Sequence, residues 1–232
     1  MIKKINIADI QLDNYSVRES LMNLERDAGT TALYTIEEVS MHTLLLAKED
    51  EVLKEVLQNL SETIIADTGI LEAAGEANSH RKKEIEGHTF FYEFMKRLDR
   101  NYKKVFILAE IGEKVEEFLQ FIEEEYPKCE VVGAVALAHV TDELEAVVNE
   151  INAADPDVII SVMPSPVREH FLTEHVDMMS TGIWYGLDPG KFSMKHHKIA
   201  GMFRHHFMKR KLTAHMSDYE ETKESEEEIQ HF

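Results

Sequence analysis

The sequence has one cysteine, Cys129, in 232 residues, so no disulfide can form within the chain and a reducing compartment is its natural setting. Positive charge is also scarce. Lysine and arginine number 25 against 44 aspartates and glutamates, a net charge of -19, which excludes general binding to a nucleic-acid backbone. No apolar run approaches the roughly 18 residues of a membrane-spanning helix. Residues 1–9 start basic but contain no uninterrupted apolar stretch of the kind a signal peptide carries. A cytoplasmic protein is expected, at most peripheral at the inner face of the cell membrane. Glycine-rich phosphate loops are missing too: neither G-x-G-x-x-G nor a P-loop occurs, which weighs against an ordinary nucleotide-binding α/β domain.

What is present is a repeated alternation. Hydrophobic residues make up 44% of the chain, enough for a sizeable core. Residues 4–12 alternate as an edge strand or hairpin arm, and residues 15–26 place Val17, Leu21 and Leu24 on one helical face. A short buried strand is expected over 31–35, with helical periodicity from Ile36 onward. Strand then alternates with amphipathic helix: 63–66, 104–109, 130–137 and 157–163 read as strands, with 181–185 as the last. Helices are expected over 90–101, around Val115, Phe118, Leu119 and Ile122, and around Leu144, Val147, Val148 and Ile151 with Thr141 as cap. Pro164-Ser165-Pro166 reads as a helix start with serine at the cap. Residues 78–87, polar and without periodicity, read as a surface loop.

Because parallel crossovers are right-handed almost without exception, these units assemble into a three-layer α/β/α, Rossmann-like domain with a mainly parallel sheet over residues 1–190. A basic helical appendage follows over 191–216, and an acidic tail over 217–232. Within the appendage, His196-His197 and His205-His206 fall on opposite faces of a continuous helix, so a basic patch is favoured over a metal site.

The stretch that draws most attention is Thr63-Ile64-Ile65-Ala66-Asp67-Thr68-Gly69-Ile70. In an open α/β sheet ligands bind outside the carboxyl ends of the strands, so a carboxylate there is aimed at the crevice. The plainer alternative is that Asp67 caps the helix after it. Glu169 likewise stands at a helix start, Arg168 reads as a solvent-facing first-turn residue, and Asp188 in Gly186-Leu187-Asp188-Pro189-Gly190 reads as a turn residue.

Taken in order, Leu44-Leu45-Leu46-Ala47, Ile65-Ala66-Asp67-Thr68-Gly69-Ile70, Val105-Phe106-Ile107-Leu108, Val131-Val132-Gly133, Pro156-Asp157-Val158-Ile159, Pro164-Ser165-Pro166-Val167-Arg168-Glu169 and Leu187-Asp188-Pro189-Gly190 resemble the WecG/TagA/CpsF family of bacterial glycosyltransferases. The resemblance implies an inverting, metal-independent enzyme without a cofactor. Its substrate would be a UDP-sugar of the N-acetylmannosamine type, and its acceptor a sugar on a polyprenyl diphosphate, in cell-envelope polysaccharide synthesis such as teichoic acid linkage. Asp67 takes the place of the family's general base. Ser40, Thr68, Gly69, Thr89, Arg168, Glu169, Asp188 and Lys191 fall at or beside positions that would hold substrate, with residues 191–211 contacting the membrane. Self-association into a homo-oligomer is left open.

The chain also departs from the family pattern. Ser40 stands where an asparagine is expected, Thr68 replaces the glycine of Ala-Asp-Gly, Thr89 replaces an aspartate, and Ala109-Glu110 replaces Gly-Gly. Side chains in place of glycines narrow a ligand pocket. A catalytically degenerate member, acting as a binding or regulatory partner in envelope-polysaccharide assembly, is therefore the alternative expectation.

Overall fold

The computed structural model describes residues 3–28, 33–76, 78–139 and 144–190. The expected helical appendage, the acidic tail, Lys191 and the Thr141 cap lie outside the described residues. The chain opens with an antiparallel hairpin, β1 (Lys4–Ile7) and β2 (Ile10–Asp13). Its two turn residues, Ala8 and Asp9, both have positive φ, the conformation that matches the twist of paired strands. Helix α1 (Val17–Asp27) follows, with Ser16 and Glu19 closing a reciprocal capping box.

Next come β3 (Tyr34–Val39), α2 (Met41–Leu46), α3 (Glu51–Asn59), β4 (Glu62–Ile65) and α4 (Thr68–Ala73). The chain continues through α5 (Ser79–Glu86), α6 (Thr89–Arg100), β5 (Lys104–Ala109), α7 (Gly112–Glu125) and β6 (Glu130–Ala136). Helix α8 (Leu144–Ala154), β7 (Val158–Ser161), α9 (Val167–His175) and β8 (Ile183–Gly186) complete it.

Strands β3 to β8 form one six-stranded sheet in the order β4-β3-β8-β7-β5-β6. Every pairing in it is parallel, as the α/β reading requires. Side chains alternate across the sheet. Ile36, Ile64, Ile107, Ile160 and Tyr185 pack with α1, α6 and α7, whereas Phe106, Leu108, Ile159 and Trp184 pack with α8 and α9. A third apolar cluster joins the hairpin to α2, α3 and α4.

Two expectations fail for instructive reasons. Residues 36–39 are strand, not helix: Glu37 and Glu38 break the apolar run, yet both side chains are buried. Residues 79–86 are helix α5, not loop. Only Arg81 and Ile85 of that helix are buried, so no apolar stripe announces it, and Asn78 caps it by accepting from the amides of His80 and Arg81.

A buried charge cluster at the carboxyl edge of the sheet

The carboxyl ends of β3, β4, β7 and β8 bring together most of the residues expected to form a site. Asp67 follows β4 and is half-buried. It occupies the cap position of α4 but makes no side-chain cap there. Instead its Oδ2 accepts from the backbone amide of Met41, 2.8 Å away, and so anchors the first residue of α2. Ser40 caps that same helix, accepting from the Thr43 amide at 3.2 Å. A chain of hydroxyls leads onward. Ser40 Oγ lies 3.0 Å from Thr43 Oγ1, which lies 3.4 Å from Ser165 Oγ, and Ser165 donates to Glu169 Oε1 at 2.6 Å.

Arg168, expected at the surface, is 1% exposed. Its Nε donates to Glu37 Oε2 at 3.1 Å, Nη1 to the Leu187 carbonyl at 2.8 Å and Nη2 to Glu169 Oε1 at 2.9 Å. One side chain thus ties β3, α9 and the turn after β8. Gly186 makes room for it. A Cβ at that position would stand 2.7 Å from both Arg168 Nε and Glu37 Cγ, so only glycine fits there without displacing the cluster. Ser165 does not cap α9, whose cap position is Pro166.

Electrostatics divides the acidic pair. Glu37, enclosed with Arg168, Glu169 and the Trp184 indole, has its pKa pushed up to about 8 by burial, which outweighs the pull of Arg168, with Glu169 adding to the rise. Glu169 Oε2 has no hydrogen-bond partner among the described residues. A proton retained on Glu37 leaves one carboxylate charge against one guanidinium. Glu38 faces the other way. Burial opposes its ionisation, but His88, the Tyr185 hydroxyl and the Asp188 amide together bring its pKa below the ordinary value. His88 Nε2 lies 2.6 Å from Oε1, Tyr185 donates to the same oxygen, and the Asp188 amide donates to Oε2 at 3.1 Å.

Of the remaining expected residues, Thr68 and Gly69 open α4 beside Asp67, and Thr89 opens α6 beside His88. Asp188 forms the turn expected of it, its Oδ1 accepting from the Gly190 amide at 2.9 Å. A Cβ at Gly69 would come no closer than 3.7 Å to Met41 Cγ, so internal packing does not demand glycine there. Glu37, Glu38 and His88 were not among the expected site residues, and Tyr185, fully buried, fits the core role expected of it. The available signal was two adjacent carboxylates inside an otherwise apolar strand-length run.

Comparison with known proteins agrees with this architecture. The model of the glycosyl transferase WecG/TagA/CpsF family matches residues 5–188. An N-acetylglucosaminyldiphosphoundecaprenol N-acetyl-beta-D-mannosaminyltransferase of Staphylococcus aureus strain NCTC 8325 is 22% identical over 191 residues, covering 79% of this chain and 72% of its own length. Proteins of the same name from strains COL and MRSA252 match with the same identity and coverage. Since the matched segment takes in every strand of the parallel sheet and the whole carboxyl edge, the chain belongs to the WecG/TagA/CpsF family of glycosyltransferases, a family of hexosyltransferases.

Proposed function

We propose that this chain transfers an N-acetylated amino sugar of the N-acetylmannosamine type from a UDP donor to a sugar carried on a polyprenyl diphosphate, with inversion and without a metal, in cell-envelope polysaccharide synthesis. The observation that carries this reading is the coincidence of family match and site: residues 5–188 include Asp67 and the strand ends around it. In this reading Asp67 is the general base. The acceptor hydroxyl loses its proton as its oxygen attacks the anomeric carbon, and a carboxylate at the mouth of the sheet can receive it. Ser40, Thr68, Gly69, Thr89 and Asp188 border the sugar and nucleotide, and Lys191 adds positive charge.

The lipid-linked acceptor agrees with the activity for which the staphylococcal relatives are named. No helix among the described residues is long and apolar enough to cross a membrane, so contact with the lipid falls in this reading to residues 191–211. The experiment is incubation of the full chain with UDP-N-acetylmannosamine and polyprenyl-diphosphate-linked N-acetylglucosamine. UDP release that is lost in Asp67→Asn supports the reading. Absence of both UDP binding and transfer at millimolar donor rejects it.

One observation favours the degenerate reading. The guanidinium of Arg168 is enclosed by Glu37, Glu169 and Leu187, so it is not presented to a diphosphate. A stable protein partner captured by the full chain, together with no sugar transfer, would decide for a binding role.

A further inference from the structure

Glu38 and His88 belong to none of the roles assigned above. Glu38 is 1% exposed and touched by a phenol, a backbone amide and an imidazole. A buried carboxylate is costly unless a positive group balances it, and of these three only the imidazole can become one. An ionised carboxylate accepts hydrogen bonds and cannot donate them, so the nitrogen of His88 facing it, Nε2, carries a proton. Nδ1 is therefore the nitrogen left for other chemistry, on a side chain that is 16% exposed.

The ring is held in place. His88 adopts a left-handed backbone (φ 48) immediately before α6, stacks on Phe91 at 4.8 Å and meets Tyr92 edge-on at 5.9 Å. Helix α6 runs toward the start of β5, so its first residues lie at the carboxyl edge of the sheet, the edge that also carries Asp67. Glu38 and Tyr185 approach from the face of the sheet opposite Arg168.

From this arrangement we infer that His88 binds the diphosphate of the donor: doubly protonated, with Glu38 as its buried counter-ion, it donates from Nδ1 to a phosphate oxygen. The inference rests on the transferase reading and deepens it. In the transfer, the acceptor O–H bond breaks and its proton passes to Asp67 while the acceptor oxygen bonds to the anomeric carbon. The bond from that carbon to the diphosphate oxygen breaks, and its electron pair leaves with UDP. Negative charge therefore gathers on the diphosphate, where His88 supplies the cationic donor that enclosed Arg168 does not. The nearby Asp188 carboxylate is turned to the Gly190 amide.

The test is calorimetric titration of the full chain with UDP, inorganic pyrophosphate and uridine, alongside NMR of the His88 ring. His88→Gln is expected to weaken UDP and pyrophosphate roughly tenfold, the value of one charge-assisted hydrogen bond, and to leave uridine unchanged. His88→Lys, which keeps a cation against Glu38, is expected to recover most of the loss. Pyrophosphate is expected to shift the His88 ring signals of the unmutated protein, a result that stands whether or not the variants fold. Equal UDP affinity in the unmutated protein and His88→Gln, with ring signals unmoved, overturns the inference and leaves the transferase reading intact. Pyrophosphate bound through His88 without any binding of UDP upholds the anion site and overturns the UDP-sugar reading. Failure of both ligands to bind overturns both.

Discussion

Glu37 and Glu38 are neighbours on β3, both essentially excluded from solvent, and they point to opposite faces of one sheet. Burial acts on both in the same direction, yet the outcomes are opposite. Glu37 shares its single guanidinium with a second carboxylate, Glu169, and its pKa is pushed up to about 8. Glu38 has no rival carboxylate among its contacts: a phenol, an amide and an imidazole all serve it, and its pKa is drawn down. The ratio of donors to acidic groups, more than depth, decides which carboxyl keeps its proton. The Arg168 side is thus a closed structural clamp. The His88 side keeps a titratable group at the rim.

The comparison breaks most visibly if the clamp loses its cation. Arg168→Met leaves Glu37 and Glu169 enclosed without a positive partner, and a loss of about 3–5 kcal/mol in urea denaturation is expected. Gly186→Ala attacks the same clamp by volume. Its methyl would stand 2.7 Å from Arg168 Nε and Glu37 Cγ, and a loss of about 1–3 kcal/mol is expected, with no change of charge. If Arg168→Met proves no more damaging than His88→Gln, the division between a structural and a rim side fails.

Much of the fold was legible because the strands of a parallel sheet are apolar on both faces. Residues 104–109 and 157–163 announce themselves that way, and the amphipathic helix after residue 109 completes the repeating unit. Asp67 could be placed at a strand end for the same reason. The rest of the site was hidden by an inference that usually holds, namely that charge lies outside. It ended β3 too early at Thr35, turned Glu37 and Glu38 into helix positions and left Arg168 in solvent. The partners that make those charges tolerable inside come from the residue before α6, from α9 and from β8 and the turn after it, separated from β3 by 50 to 150 residues of chain, beyond any local pattern. Helix α5 was missed differently: its two buried residues, Arg81 and Ile85, include a charged one satisfied by Asn14 and Glu84.

A pH series sharpens the contrast between the two carboxyls. Glu37 has a folded pKa above the ordinary 4.5, so the stability it contributes as a neutral acid is complete below 4.5 and is lost as pH rises through about 8. Glu38 has a folded pKa below 4.5, so its contribution is complete above 4.5 and is lost as pH falls through the lowered value. Glu37→Gln is expected to flatten the decline in stability between pH 4.5 and 8. Glu38→Gln is expected to flatten only the acid limb. Denaturation midpoints of the three proteins from well below pH 4.5 up to about 8 measure both slopes, and identical slopes for the two variants would erase the distinction.

The smallest stability effect is expected at Asp67, and this is what makes that residue informative. In Asp67→Asn the amide oxygen can still accept from the Met41 amide, so the anchor on α2 survives and the loss should be about 1 kcal/mol or less. An amide cannot take up the acceptor's proton, however, and under the proposed chemistry transfer should fall by roughly 10²- to 10⁴-fold. The two readouts therefore separate. Activity lost with the denaturation midpoint nearly unchanged assigns the carboxylate to chemistry; activity retained with a clear drop in midpoint reduces it to the residue that fixes the start of α2.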